Sequence, residues 1–113
     1  MGFVNNWQRT LWHVRRLEEK IAELNLVLKP DLVLADMRRT FIAGGPATGE
    51  LREPGLLLAS RDRVALDAEA MRIIQGFPGH SLPADPWALP QVAHAVEVGL
   101  GPREGRGYPV VDV

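Results

Sequence analysis

Few residues in this chain have the types and spacing to do chemistry. They are the carboxylates Asp36, Asp62 and Asp67, the hydroxyl of Ser60, the histidines His13, His80 and His94, and the glycine pair Gly44 and Gly45. Asp36 ends the apolar run Leu32 to Ala35 and Ser60 ends the run Leu56 to Ala59, so each stands at the carboxyl end of an expected strand. Ligands of open α/β sheets gather beyond such ends, and parallel neighbouring strands would turn Asp36 and the Ser60 to Asp62 turn toward one site. Asp62 also precedes the helical spacing of Val64, Ala68 and Met71. That makes it the natural N-cap, its carboxylate accepting the backbone N–H of Val64 or Ala65. Asp67, one turn on, is able to cap, to pair with Arg63 four residues before it, or to point into a site.

The remaining candidates are weaker chemically. Ser60 lacks a Gly-x-Ser-x-Gly elbow and reads as a turn residue rather than a nucleophile. No two histidines share a metal-binding spacing, so no metal site is expected from this chain. His13, beside Trp12, is the histidine best suited to acid or base work near neutral pH, against the simpler reading of an exposed helical residue. The GGPATG stretch from Gly44 to Gly49, with Arg38, Arg39 and Arg52 nearby, offers N–H groups to an anion, yet it matches neither the P-loop nor the dinucleotide fingerprint and reads equally as a plain turn. The chain has no cysteine, which excludes disulfides, thiol nucleophiles and thiolate-held iron–sulfur clusters. Nothing here calls for a cofactor.

The elements that must position these residues follow from periodicity. Trp7, Leu11, Val14, Leu17, Ile21, Leu24 and Leu28 recur every three or four residues and predict a long amphipathic helix, ended by Lys29-Pro30. A second helix is expected from about Arg63 to Gln75, stopped by Gly76 and Pro78, and a third from near Leu89 through Val98, closed by Gly99. In the third, Leu89, Val92, Ala93, Val96 and Leu100 form the apolar face and His94 projects away. Met37 to Gly55 reads mostly as loop, with a short edge strand at Thr40 to Ala43. Tyr108 to Val113 reads as a terminal strand at the sheet edge. The expected fold is α/β: a small, mixed sheet of three to four strands packed with about three helices.

At 113 residues and 46% hydrophobic content the chain suits one domain, residues 1–113, with a real core. A net charge of −1, from 13 basic and 14 acidic residues, gives no footprint for nucleic acid or an anionic membrane. No apolar run approaches the roughly 20 residues that span a bilayer. A cytoplasmic protein is the expectation.

Four phrases in order carry a resemblance: Pro30 to Asp36 (PDLVLAD), Gly44 to Gly49 (GGPATG), Leu58 to Asp67 (LASRDRVALD) and Ala95 to Gly101 (AVEVGLG). Together they resemble the prokaryotic domain of unknown function 362 family, with Arg63 standing where the family usually has proline. Members are generally longer, so the resemblance implies that this chain corresponds to the carboxyl-terminal part of a larger family fold. Some relatives carry ferredoxin-like cysteine clusters, a chemistry this chain cannot share. The resemblance names no reaction.

The expected function is therefore a domain noncatalytic in isolation, a binding or assembly part of a larger protein. The alternative is a contribution of carboxylates to a small-molecule or metal–anion site completed elsewhere. The long helical stripe exceeds what a small sheet shelters, so a homodimer, or a partner chain, is expected through Leu11, Leu17, Ile21 and Leu24.

Overall fold

The computed structural model describes residues 17–45, 47–102 and 107–113. Trp7, Leu11, Trp12 and His13 lie outside them. Within them run helix α1 (Leu17–Val27), strands β1 (Val33–Met37), β2 (Thr40–Ala43), β3 (Glu50–Arg52) and β4 (Leu56–Ser60), helix α2 (Arg63–Gln75), a 3-10 turn (Pro86–Ala88) and helix α3 (Pro90–Glu97). The architecture is α/β, with three helices and four short strands.

The strands make one bent antiparallel hairpin. β1 pairs with β4 from Val33 opposite Ser60 to Met37 opposite Leu56, and β2 pairs with β3 from Thr40 opposite Arg52 to Ala43 opposite Glu50. Residues 38–39 and 53–55 separate the two pairs, and the segment expected to be mostly loop holds its expected strand at Thr40–Ala43 and a second one at Glu50–Arg52. Its tip is the GG…G stretch. Gly44 has φ +74°, and a Cβ on Gly49 would stand 2.2 Å from the Ala43 carbonyl oxygen, so the tip closes only with glycine. Leu51 and Arg52 fell below any pattern of alternation; only pairing with Thr40 and Phe41 makes this segment a strand.

Two helix boundaries are set locally. Asp62 caps α2, its Oδ1 accepting from Val64 N at 2.9 Å and Ala65 N at 3.0 Å. At the end of α3, Gly99 N donates to the Val96 carbonyl and Leu100 N to the Ala95 carbonyl, with Gly99 at φ +87°, a Schellman ending. Pro86, excluded from α3, starts the 3-10 turn, which Asp85 caps through Trp87 N at 3.0 Å.

Helix α2 lies between two environments. One side meets β1, β2 and β4; the other meets α3 and the 3-10 turn, while α1 packs on α3. The helical core contains Ala22, Val64, Ala68, Trp87, Val92 and Ala95, with Met71, Leu89, Leu100 and Tyr108 around it. Ala22 is the buried residue of α1, whereas Leu17, Ile21 and Leu24 are only half-buried. The helix has rolled away from its leucine stripe, because small side chains at Ala22 and Ala95 allow close approach in this core.

Two expectations fail. Residues 107–113 form no strand. The Tyr108 side chain is engaged elsewhere, donating to Glu69 Oε2 at 3.0 Å and lying 6.3 Å from the Trp87 ring, and Pro109 has no N–H for a ladder. In α3, Val96 is exposed, while His94 turns toward α1, its Nε2 3.7 Å from Glu23 Oε1 and its Nδ1 3.2 Å from Glu97 Oε2.

Candidate functional site

Antiparallel pairing separates the residues that parallel strands would have gathered. Ser60 lies opposite Val33, at the start of β1, whereas Asp36 lies opposite Leu57 near the other end of the ladder. Asp36 and the Ser60 to Asp62 turn therefore share no site in this arrangement. The turn is engaged in its own architecture: Ser60 Oγ accepts from Asp62 N at 2.9 Å while Asp62 caps α2.

Asp36 is exposed and already neutralised. Arg38 donates to it in a two-pronged geometry, Nε to Oδ1 at 3.0 Å and Nη2 to Oδ2 at 2.6 Å, and adds its backbone N–H at 3.0 Å. The Arg38 side-chain hydrogen bonds, then the backbone one, hold the Asp36 carboxyl down to about 2. The other cations near the hairpin tip are spoken for in the same way, Arg39 by Glu53 at 3.1 Å and Arg52 by Glu50. An anion at Gly44 and Gly45 would find no free arginine among those three.

Gly44 and Gly45 do line a groove, with about 150 Å³ of space, between the hairpin tip and the end of α2. Its lining is mixed: the side chains of Phe41, Ile42, Ile74 and Leu82 alternate with polar backbone and the Ser81 hydroxyl, which is bonded to the Ile42 carbonyl at 3.4 Å. Small-molecule sites enclose roughly 300–1,000 Å³, so this groove is small for one.

Asp67 occupies a second hollow, between the three helices, with Asn25 and Gln91 beside it and Ile21, Val64, Val92 and Leu100 as its apolar lining. The carboxyl has solvent at its mouth, yet the protein mass around it pushes its pKa up. It makes no hydrogen bond or ion pair with a described residue. Arg63, its expected partner, donates to the Leu28 carbonyl oxygen. The hollow offers about 30 Å³, room for about two waters. Asn25 and Gln91 were missed in the sequence. Asn25 interrupts an apolar helix face, which was a signal; Gln91 gave none.

No described His, Asp, Glu or Cys group has the arrangement to hold a metal. His94, between Glu23 and Glu97, is a contact of α1 with α3, and Glu23 is held low chiefly by Lys20 and secondarily by His94. Buried nitrogens that make no hydrogen bond with a described residue remain at His80 Nδ1, Trp87 Nε1 and His94 Nε2, the last of them 3.7 Å from Glu23 Oε1.

A family model for the domain of unknown function DUF362 matches residues 1–72. The chain belongs to the DUF362 family. The DUF362 match takes in α1, the whole hairpin, the Asp62 cap and Asp67, and stops near the end of α2, before α3. A thylakoid-associated protein, sll1697, of Synechocystis sp. is 32% identical over 107 residues, 89% of this chain. This chain spans only 31% of that protein's length. No solved structure matches.

Proposed function

We propose that this DUF362 domain is noncatalytic by itself and serves as a binding or assembly part of a larger protein. One observation carries the reading: on the β1–β4 face turned away from α2, Leu34 and Leu57 are each 71% exposed, and Leu32, just before β1, is 57% exposed. Apolar surface collected on one sheet face marks a contact. The candidate site residues support the same reading, since Asp36, Ser60 and Asp62 are consumed by local pairing and both hollows are small. The half-buried Leu17, Ile21 and Leu24 of α1 offer the second surface to a second copy or a partner chain, and the expected contact at Leu11 lies outside the described residues.

The reading takes the cytoplasm as its compartment and no nucleic-acid or lipid partner, given a net charge of −1. Among the described residues no helix is long and apolar enough to cross a membrane. The association named for the Synechocystis protein would reach this domain through its partner. At micromolar concentration the isolated chain should self-associate or bind a hydrophobic dye. Leu34→Glu combined with Leu57→Glu should remove both properties and leave the thermal melt in place. A monodisperse monomer that binds no dye would sink the reading.

A second reading has Asp67 in its favour, without a hydrogen bond or ion pair to a described residue and with a raised pKa in a hollow shared with Asn25 and Gln91. In it the carboxylate belongs to a small-molecule or metal–anion site completed by another segment. A folded-state pKa above the unfolded value means that ionisation opposes folding, so Asp67→Asn should hold or raise stability at pH 7, with the gain fading below about pH 4. A thermal shift with millimolar magnesium or inorganic phosphate, lost in Asp67→Asn, would favour this second reading over the first.

A further inference from the structure

Strands covered on both sides read as near-continuous apolar runs, whereas strands with one wet face alternate. Leu32 to Ala35 and Leu56 to Ala59 are of the first kind, yet among the described elements α2 is the helix that packs on the ribbon, and it does so on one face. Alternation along β1 and β4 puts Leu34 and Asp36, with Leu57 and Ala59, on the uncovered face, and Leu34 stands directly opposite Ala59. Among the described residues no layer covers this face, although its own sequence anticipates one.

We propose that this face docks an amphipathic helix belonging to the part of a longer DUF362 chain that these 113 residues do not span, the helix laying its apolar stripe over Leu32, Leu34 and Leu57. The proposal rests on the assembly reading and names its occupant. The relative's length is the first ground: a stretch similar to nearly all of this chain sits in a protein of which 69% (100 − 31) lies outside the match. Layer architecture is the second, because a sheet with a helix on one face and apolar residues on the other is completed by a helix on the second face. Charge is the third. Exposed Arg61, at the β4 end of the face, makes no ion pair with a described residue. A second copy has no free carboxylate on this face to meet it, because Asp36 is already clasped by Arg38. The helix thus carries an acidic side chain at the end that reaches Arg61.

Co-expression tests this. The full 113-residue chain, tagged, is produced together with the part of the Synechocystis thylakoid-associated protein outside the matched stretch. The expected result is a soluble 1:1 complex. Binding should fall roughly tenfold or more in the Leu34→Glu, Leu57→Glu double variant, and by a few-fold in Arg61→Glu, as central and rim contacts do. Circular dichroism of the variants alone verifies that they fold. Capture that is indifferent to the double variant overturns the proposal, as does a remainder that stays insoluble or unbound in the presence of the wild-type chain. A wild-type chain that persists as a homodimer through Leu34 and Leu57 and takes up no remainder also overturns it, while leaving the assembly reading intact.

Discussion

At the helical end of the molecule Ala22, Val64, Ala68, Trp87, Val92 and Ala95 close on one another, none more than 5% exposed, while at the ribbon end Leu34 and Leu57 stand 71% exposed on the two strands that pack on the same helix α2. The two regions differ in the number of layers that the described elements supply. Three helices and a 3-10 turn surround the first core, so each small residue finds a neighbour on several sides. Among the described residues the ribbon has α2 and, at its tip, Ser81 and Leu82, and Met37 and Ile42 are its buried residues. Full burial of a leucine contributes roughly 1.5–3 kcal/mol, which is what each exposed leucine leaves unrealised. Stability is thus held at one end of the molecule, and capacity for contact at the other.

The contrast is open to direct attack at its strongest point. Trp87→Ala removes a side chain 5% exposed at the centre of the helical core, together with the ring that Tyr108 packs on, and should cost about 3–5 kcal/mol in urea unfolding. A loss under about 1 kcal/mol would mean that the helical end is not the anchor described. Asp62→Ala should cost about 1 kcal/mol by loss of the two-bond cap on α2, which both ends share. An unchanged melting temperature would detach Asp62 from stability and reopen a ligand role.

Alkaline titration sharpens the same contrast. Burial first, and the bond to Glu69 second, push the Tyr108 hydroxyl up to about 12 from an ordinary 10. The folded state holds that proton more tightly, so its stabilising contribution is complete below pH 10 and is lost as pH rises from 10 to 12. Tyr108→Phe should flatten this part of the pH–stability profile, read by thermal melts, and an unaltered profile would dissociate Tyr108 from the alkaline loss. The smallest effect belongs to the ribbon: Leu57→Lys should move the stability of the isolated chain by no more than about 0.5 kcal/mol. A larger loss would show that the outer face is already covered within the chain.

The helices and their ends were legible because their causes are local. Asp62 before the Val64, Ala68, Met71 spacing specifies a cap and a start, and Gly99 after Val98 specifies an end, whatever surrounds them. The runs at Leu32 to Ala35 and Leu56 to Ala59 announced two strands for the same reason. Glu50 to Arg52 was not legible, since a three-residue strand exists only by virtue of its partner, and neither was the failure of Tyr108 to Val113 to pair, which turns on where the Tyr108 ring is captured.

For the candidate site the division is sharper. The sequence by itself determined which groups exist: carboxylates at Asp36, Asp62 and Asp67, no thiol, a near-zero charge and a family membership without a known reaction. It could not determine strand direction, and direction decided that Asp36 and Ser60 stand apart along the ladder rather than together beyond one sheet edge. Nor could it say that Arg38, two residues on, would clasp Asp36, or that the roll of α1 would bring Asn25 beside Asp67. Those outcomes depend on which faces meet. An apolar run states that a surface is to be buried, but only the packing of the whole decides against what: a two-stranded ribbon has two faces, and among the described residues α2 meets one of them and leaves Leu34 and Leu57 71% exposed on the other.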